Sequence, residues 1–123
     1  MNIEELREVC LSVPGAEECL PFDYDTPVYK VMGKMFAFYG LTPKDGNFFV
    51  NLKCAPERSA ELRERYRGIT KPYHTSDTLK WNSVYLQDDV PDALISELVQ
   101  HSADEVIKAL PKKKKEEWLK YRT

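Results

Sequence analysis

The fold is decided by residues 27–39, PVYKVMGKMFAFY, which read as two β-strands joined by a tight turn. Aromatic and β-branched residues on both sides of the turn favour extended backbone. Gly33-Lys34 separates the two runs, and glycine at the first of two central positions predicts a type II′ hairpin turn. We therefore expect a domain built around an antiparallel sheet.

Two more strands are predicted further along the chain. Residues 48–53 alternate between an apolar face, formed by Phe48, Val50 and Leu52, and a mixed face. Residues 81–86 alternate in the same way. An antiparallel sheet that is covered on one side gives this pattern, so the mixed face is expected to be open.

Helices are predicted before, between and after these strands. Asn2 and Glu5 form a capping-box pair at the start of the first helix, and Pro56 suits the first turn of the second. Pro91 lies near the start of a third helix. Ser102 and Glu105 form another capping-box pair, which predicts that a turn or short helix starts there.

The predicted order of elements is α-β-β-β-α-β-α(-α), with residues 16–25 as an acidic connector. This order defines an α+β fold: a two-layer domain with an antiparallel sheet and helices packed mainly on one face. A length of 123 residues suits a single domain over residues 1–123. Residues 111–123 form its basic C-terminal segment.

Cysteine spacing and hydropathy limit the compartment and the cofactors. Cys10, Cys19 and Cys54 are widely spaced and lack a C-x-x-C pattern, which disfavours disulfides and structural zinc. No apolar run approaches the roughly 20 residues of a membrane span. We expect a cytoplasmic, monomeric protein with no cofactor, no bound metal and no membrane partner.

The charges are unevenly distributed around a net charge of −2. Residues 53–80 carry seven Lys or Arg residues against four acids. Because cations bind phosphates and exposed aromatic rings stack on unpaired bases, this region predicts weak nucleic-acid binding. The side-chain amide of Asn82 is a candidate for hydrogen bonds to the edge of a base. The candidate contacts are Lys53, Arg58, Arg63, Arg65, Arg67, Lys71, Tyr73, His74, Lys80, Trp81 and Asn82.

Other interpretations of the same residues stay open. The arginines can pair with acids of their own helix and shield the core, with Trp81 packed inside. A protein-interaction or small-ligand module would use the open sheet face and the Trp81 strand. Catalysis would need a Cys54–His74 dyad that no spacing brings together, so we expect no enzyme. Lysines 112–115 are interpreted as a solvated tail.

Four segments occur in a fixed order along the chain. They are residues 20–31 (LPFDYDTPVYKV), 33–37 (GKMFA), 52–63 (LKCAPERSAELR) and 73–84 (YHTSDTLKWNSV). Their order and spacing are similar to the MmcQ/YjbR family over nearly the whole chain. The resemblance implies a small α+β domain similar to type III secretion chaperones, also described as a double-wing, DNA-binding-like domain. The partners it implies are DNA or another protein.

Overall fold

The computed structural model describes residues 1–19, 27–39, 47–72 and 77–122. Within them, six antiparallel strands form one sheet in the order β1-β2-β3-β4-β6-β5, accompanied by four helices. This confirms the α+β fold. The elements are α1 (Ile3–Leu11), β1 (Ala16–Cys19), β2 (Val28–Val31), β3 (Lys34–Tyr39), β4 (Phe49–Lys53), α2 (Pro56–Arg65), β5 (Ile69–Thr70), β6 (Trp81–Tyr85), α3 (Asp92–Lys108) and α4 (Lys112–Arg122).

The β2–β3 hairpin forms as predicted, but its turn type is different. Val31 pairs with Lys34, which leaves Met32 and Gly33 as the two central residues. Both have positive φ, 51° at Met32 and 77° at Gly33, as a type I′ turn requires. Glycine therefore occupies the second central position, and Met32 adopts a left-handed conformation that non-glycine residues seldom take.

Two short edge strands lie where no strand is predicted. β1 falls within the predicted acidic connector and pairs with β2, while β5 has only two residues and pairs with β6. Sequence patterning does not reveal either strand, because β1 reads AEEC and β5 is too short to show alternation. Backbone hydrogen bonds to a neighbouring strand define both of them.

The prediction that a new turn or short helix starts at Ser102 is wrong, since α3 runs without interruption from Asp92 to Lys108. Ser102 is fully buried, and its hydroxyl serves the sheet instead of capping a helix. The Oγ donates to the carbonyl of Phe36 at 2.5 Å and accepts from the backbone N–H of Lys53 at 2.8 Å. These bonds fix the middle of α3 against β3 and β4.

The basic C-terminal segment is a helix, α4, that packs on the domain and is not a tail, although the first three of its lysines are exposed to solvent as predicted. Trp118 is only 5% exposed, and its indole N–H donates to the carbonyl of Pro14 at 3.3 Å. The buried indole ties α4 to the end of α1. It thereby positions lysines 112–115 next to the rest of the protein.

Helices contribute to the main core on one face of the sheet, as predicted. Leu6, Leu62 and Val99 come from α1, α2 and α3, and they join inward-facing strand residues in one cluster. At Val28 and Phe38 the other face is not open as expected, because these two residues are 1% and 6% exposed. An interaction module based on an open sheet face is therefore not available at these two positions.

Over the described parts of the chain, each helix is too short or too polar to reach across a bilayer.

Candidate functional site

The arginines predicted to bind phosphates mostly contact the protein itself. Arg58 forms an ion pair with Glu97 of α3 at 2.6 Å, and Arg67 pairs with Asp88 after β6 at the same distance. These partners lie outside α2, unlike the acids expected from the sequence. Arg65 is exposed, with its guanidinium carbon 5.7 Å from the ring centre of Tyr66.

Arg63 joins α2 to the start of β6. Its Nε donates to Oδ1 of Asn82 at 2.6 Å, and its Nη2 donates to the carbonyl of Trp81 at 2.8 Å and to that of Thr78. Asn82 is only 2% exposed and lies on the core face of the sheet, paired with Leu52. This corrects its assignment as a reader of a base edge, because a nucleobase cannot reach it.

Lys53 and Lys80 do come together, at a cleft of about 300 Å³. Lys53 ends β4, and Lys80 belongs to the turn that precedes β6. Lys108 from the last turn of α3 joins them, together with Glu105 and the buried Cys54. Lys71 is exposed beyond β5, whereas Tyr73 and His74 lie outside the described residues.

A second, larger cleft of about 550 Å³ shares Lys53 and Ala109 with the first. It lies between the β2–β3 turn and the junction of α3 with α4. Two more lysines, Lys34 and Lys114, belong to its lining, and the remaining lining residues are apolar. We call the residues Lys34, Lys53, Lys80, Lys108 and Lys114 the lysine cluster.

The lysine cluster creates a region of positive potential on a protein of nearly balanced charge. Lys108 is 4.0 Å from Glu105, and Lys114 is 3.9 Å from Glu117; because these distances are long and both lysines are exposed, the pairs are weak. Lys114 also lies in the first turn of α4, a turn without acids. Cations there add to the positive end of the helix dipole instead of opposing it, so the site attracts anions.

The aromatic candidate Trp81 is partly buried on the second face of the sheet. Its ring centre lies 5.6 Å from that of Phe38, and the two planes are tilted by 59°. On the same face, Phe49 and Tyr85 form a similar tilted pair at 5.9 Å. Trp81 therefore packs against Phe38 with part of its ring, and only the remaining part is accessible to solvent or a partner.

The cysteine proposed for catalysis is a buried thiol. Burial raises the pKa of Cys54, which disfavours the nucleophilic thiolate. His74 falls outside the described residues, so the dyad itself is not tested. His101, the other histidine, accepts a hydrogen bond at Nε2 from the backbone N–H of Ala55 at 3.3 Å. Among the described residues, no group of three acidic, cysteine or histidine side chains could hold a metal ion.

Sequence reasoning found Lys53 and Lys80 but missed Lys34, Lys108 and Lys114. Lys34 reads as part of a hairpin turn, and Lys114 reads as part of a tail. The run of lysines after Pro111 was the one available signal. Whether those lysines reach the cleft depends on how α4 packs against the end of α1, which the sequence does not show.

Sequence comparisons place the chain in a family. The sequence model of the YjbR family matches residues 11–104. "Uncharacterized protein YjbR" of Escherichia coli K12 is 30% identical over 115 residues, which cover 94% of this chain and 95% of that protein. "Uncharacterized protein YbdF" of Escherichia coli O157:H7 is 31% identical over 110 residues, with 89% and 88% covered.

Solved structures agree with these matches. The crystal structure of Deinococcus radiodurans protein DR2400, with a DUF419 domain, has a TM-score of 0.85 at 33% identity and covers 95% of this chain and 87% of its own. A Pseudomonas syringae protein of 20% identity shares the fold, with a TM-score of 0.73 and 85% and 98% covered. The class is thus an α+β domain built on one antiparallel sheet. The chain belongs to the YjbR family, as the four sequence segments predict.

Proposed function

We propose that this protein is a non-catalytic, cytoplasmic, monomeric module that binds nucleic acid weakly through the lysine cluster. The observation that carries the proposal is the convergence of five lysines from separate elements on two clefts that share Lys53. Lysine ammonium groups bind phosphates as mobile point charges. This supports contact with the sugar–phosphate backbone and little discrimination between base sequences.

The proposal moves the interface away from the outer surface of α2. Arg58 and Arg67 are held in ion pairs, and Arg63 supports β6. Lys53 and Lys80 remain from the predicted set, and Lys34, Lys108 and Lys114 join them. Binding that depends on a few phosphate contacts is expected to weaken strongly with salt, because each contact releases condensed counterions.

The test is fluorescence anisotropy with labelled single-stranded and duplex DNA. Between about 50 and 200 mM salt, we expect affinity to fall roughly tenfold to a hundredfold, which corresponds to about two to four phosphate contacts that each release about 0.7–0.9 ions. Lys53→Glu and Lys108→Glu should each weaken binding about fivefold to tenfold, equivalent to roughly 1–1.4 kcal/mol. Lys53→Gln and Lys108→Gln repeat the test without a charge reversal, in case a reversed charge disturbs folding.

Arg65→Glu is the matched control. It makes the same change of charge at an exposed cation that contacts Tyr66 and lies at the other end of α2, about 13 Å along the helix from Pro56. We expect it to change affinity less than twofold, or roughly 0.4 kcal/mol. Equal losses in all variants, or binding that is indifferent to salt, would overturn the proposed interface.

A protein partner is the second candidate, and Leu79 is the observation that favours it. Leu79 is 71% exposed in the turn beside Lys80. An apolar side chain that is exposed in the free protein can be covered when a protein partner binds. Leu79→Ser should leave DNA binding unchanged if nucleic acid is the partner. Loss of a protein contact upon this substitution, in a protein that shows no salt-dependent DNA binding, would favour the second candidate.

A further inference from the structure

We infer that the larger cleft is a binding site for a small amphipathic anion: an aliphatic body that carries one carboxylate or phosphate head. The inference uses lysines that the proposed function also uses, but it requires a ligand inside the cleft and not only phosphates at its rim. The volume of the larger cleft, about 550 Å³, falls in the usual range for small-molecule sites.

The interior of the cleft suits an apolar body. Met32 and Met35 line one side, and Val106, Leu110 and Pro111 line the other. Methionine has an unbranched, polarizable side chain that adapts to ligands of different shape. Met32 is also the residue held at a φ of 51°, in a conformation that costs energy for a non-glycine side chain. Strained backbone of this kind clusters at ligand sites.

The charge of the lining selects an anionic head. Lys34, Lys53 and Lys114 line the cleft, and of the described residues that line it none is acidic. An anion can approach several ammonium groups at once, whereas a cationic head of the same size would be repelled by them. The occupant that complements both parts of the lining is therefore a short-chain carboxylate or an alkyl phosphate.

Methionine methyl groups offer a direct test with octanoate as the probe. The chain has three methionines, and labelling their ε-methyl carbons with ¹³C gives one NMR signal for each. Met32 and Met35 line the cleft, while Met1 lies beside Asp92 in another part of the structure. We expect the first two signals to shift saturably with octanoate and the Met1 signal to remain unchanged.

Two matched ligands and one variant complete the design. Octylammonium and octanol have the same chain, and we expect each to bind at least about tenfold more weakly than octanoate, or roughly 1.4 kcal/mol. Ala109→Phe places a large ring in the cleft from an exposed position, so the domain should still fold. It is expected to abolish the octanoate shifts at Met32 and Met35, because the ring takes up the space of the aliphatic chain.

The outcomes separate this inference from the proposed function. Absence of a saturable shift at Met32 and Met35, or equal binding of octanoate and octylammonium, overturns the anion site even if DNA binds. Octanoate binding together with salt-independent or absent DNA binding overturns the proposed function and supports the anion site. Lys53→Gln should weaken both ligands, because Lys53 is shared by the two clefts.

Discussion

Replacement of Arg63 by methionine is expected to destabilise the domain by about 3 kcal/mol. The guanidinium donates to Oδ1 of Asn82 and to the carbonyls of Trp81 and Thr78. A hydrogen bond from a charged donor contributes roughly 1.5–3 kcal/mol, and a buried acceptor left without a partner costs about 1–3 kcal/mol. Methionine keeps the length and apolar stem of the side chain, so the loss reports on the hydrogen bonds.

The assay is urea and thermal unfolding followed by circular dichroism. A loss of about 3 kcal/mol corresponds to a fall in Tm of roughly 10 °C for a domain of this size. Arg63→Lys retains the charge but cannot donate to acceptors on both sides, so we expect it to recover less than half of the loss. In a double-mutant cycle, Arg63→Met and Asn82→Leu should couple by at least about 1 kcal/mol.

Arg65→Met is the control for this experiment. Arg65 lies two residues away on the same helix, is exposed and contacts only a ring face among its described interactions. Its replacement should cost no more than about 1 kcal/mol. If Arg63→Met costs no more than Arg65→Met, or if Arg63 and Asn82 do not couple, then Arg63 does not support β6 and is available to a ligand.

Three further outcomes are expected. Ser102→Ala should lower the free energy of unfolding in urea by about 2 kcal/mol, because the Phe36 carbonyl and the Lys53 N–H lose their hydrogen-bond partner. Ser96→Ala on the same helix is the control. Equal losses in the two variants would contradict the role of the Ser102 hydroxyl in holding α3 to the sheet. A hydrogen bond from Arg7, and to a smaller extent one from Tyr29, lowers the pKa of Glu18 in the folded protein. Glu18 therefore contributes to stability at pH values above the ordinary glutamate pKa of about 4.3, and this contribution is lost as the pH falls through the lower pKa of the folded state. Glu18→Gln should therefore be less stable than wild type near neutral pH, with the two unfolding free energies converging in acid; parallel curves would show that Glu18 does not titrate in this way. Burial raises the pKa of Cys10 to about 12 and also raises the pKa of Cys54. At mildly alkaline pH a thiol reagent should therefore label Cys19 first in the native protein, and Cys10 and Cys54 only after unfolding. Rapid labelling of more than one cysteine in the native protein would contradict the burial of Cys10 and Cys54.

Local patterns along the chain predicted much of the fold correctly. The Asn2–Glu5 capping box forms, with the Glu5 N–H donating to Asn2 Oδ1 at 2.8 Å. Strand alternation also holds, since Val50 lies in the main core and Asn51 lies on the opposite face. Both features depend on residues a few positions apart, whose relative placement is fixed by helix and strand geometry. The family likewise follows from ordered segments of the sequence.

Features that depend on distant residues required the tertiary structure. Ser102 has the sequence pattern of a helix cap, but its hydroxyl lies where Phe36 and Lys53 offer better partners. Edge strand β5 exists because β6 lies beside it. In each case a contact made over many residues outweighs a weak local preference.

The candidate site divides in the same way. Composition alone shows that residues 53–80 are rich in cations, and Lys53 and Lys80 were predicted from it. The sequence does not show which cations are already paired, or that Trp118 holds α4 where Lys114 reaches the cleft. Charge is a property of each residue, whereas a binding surface depends on distances between residues far apart in the chain. Those distances are set by packing of the helices on the sheet.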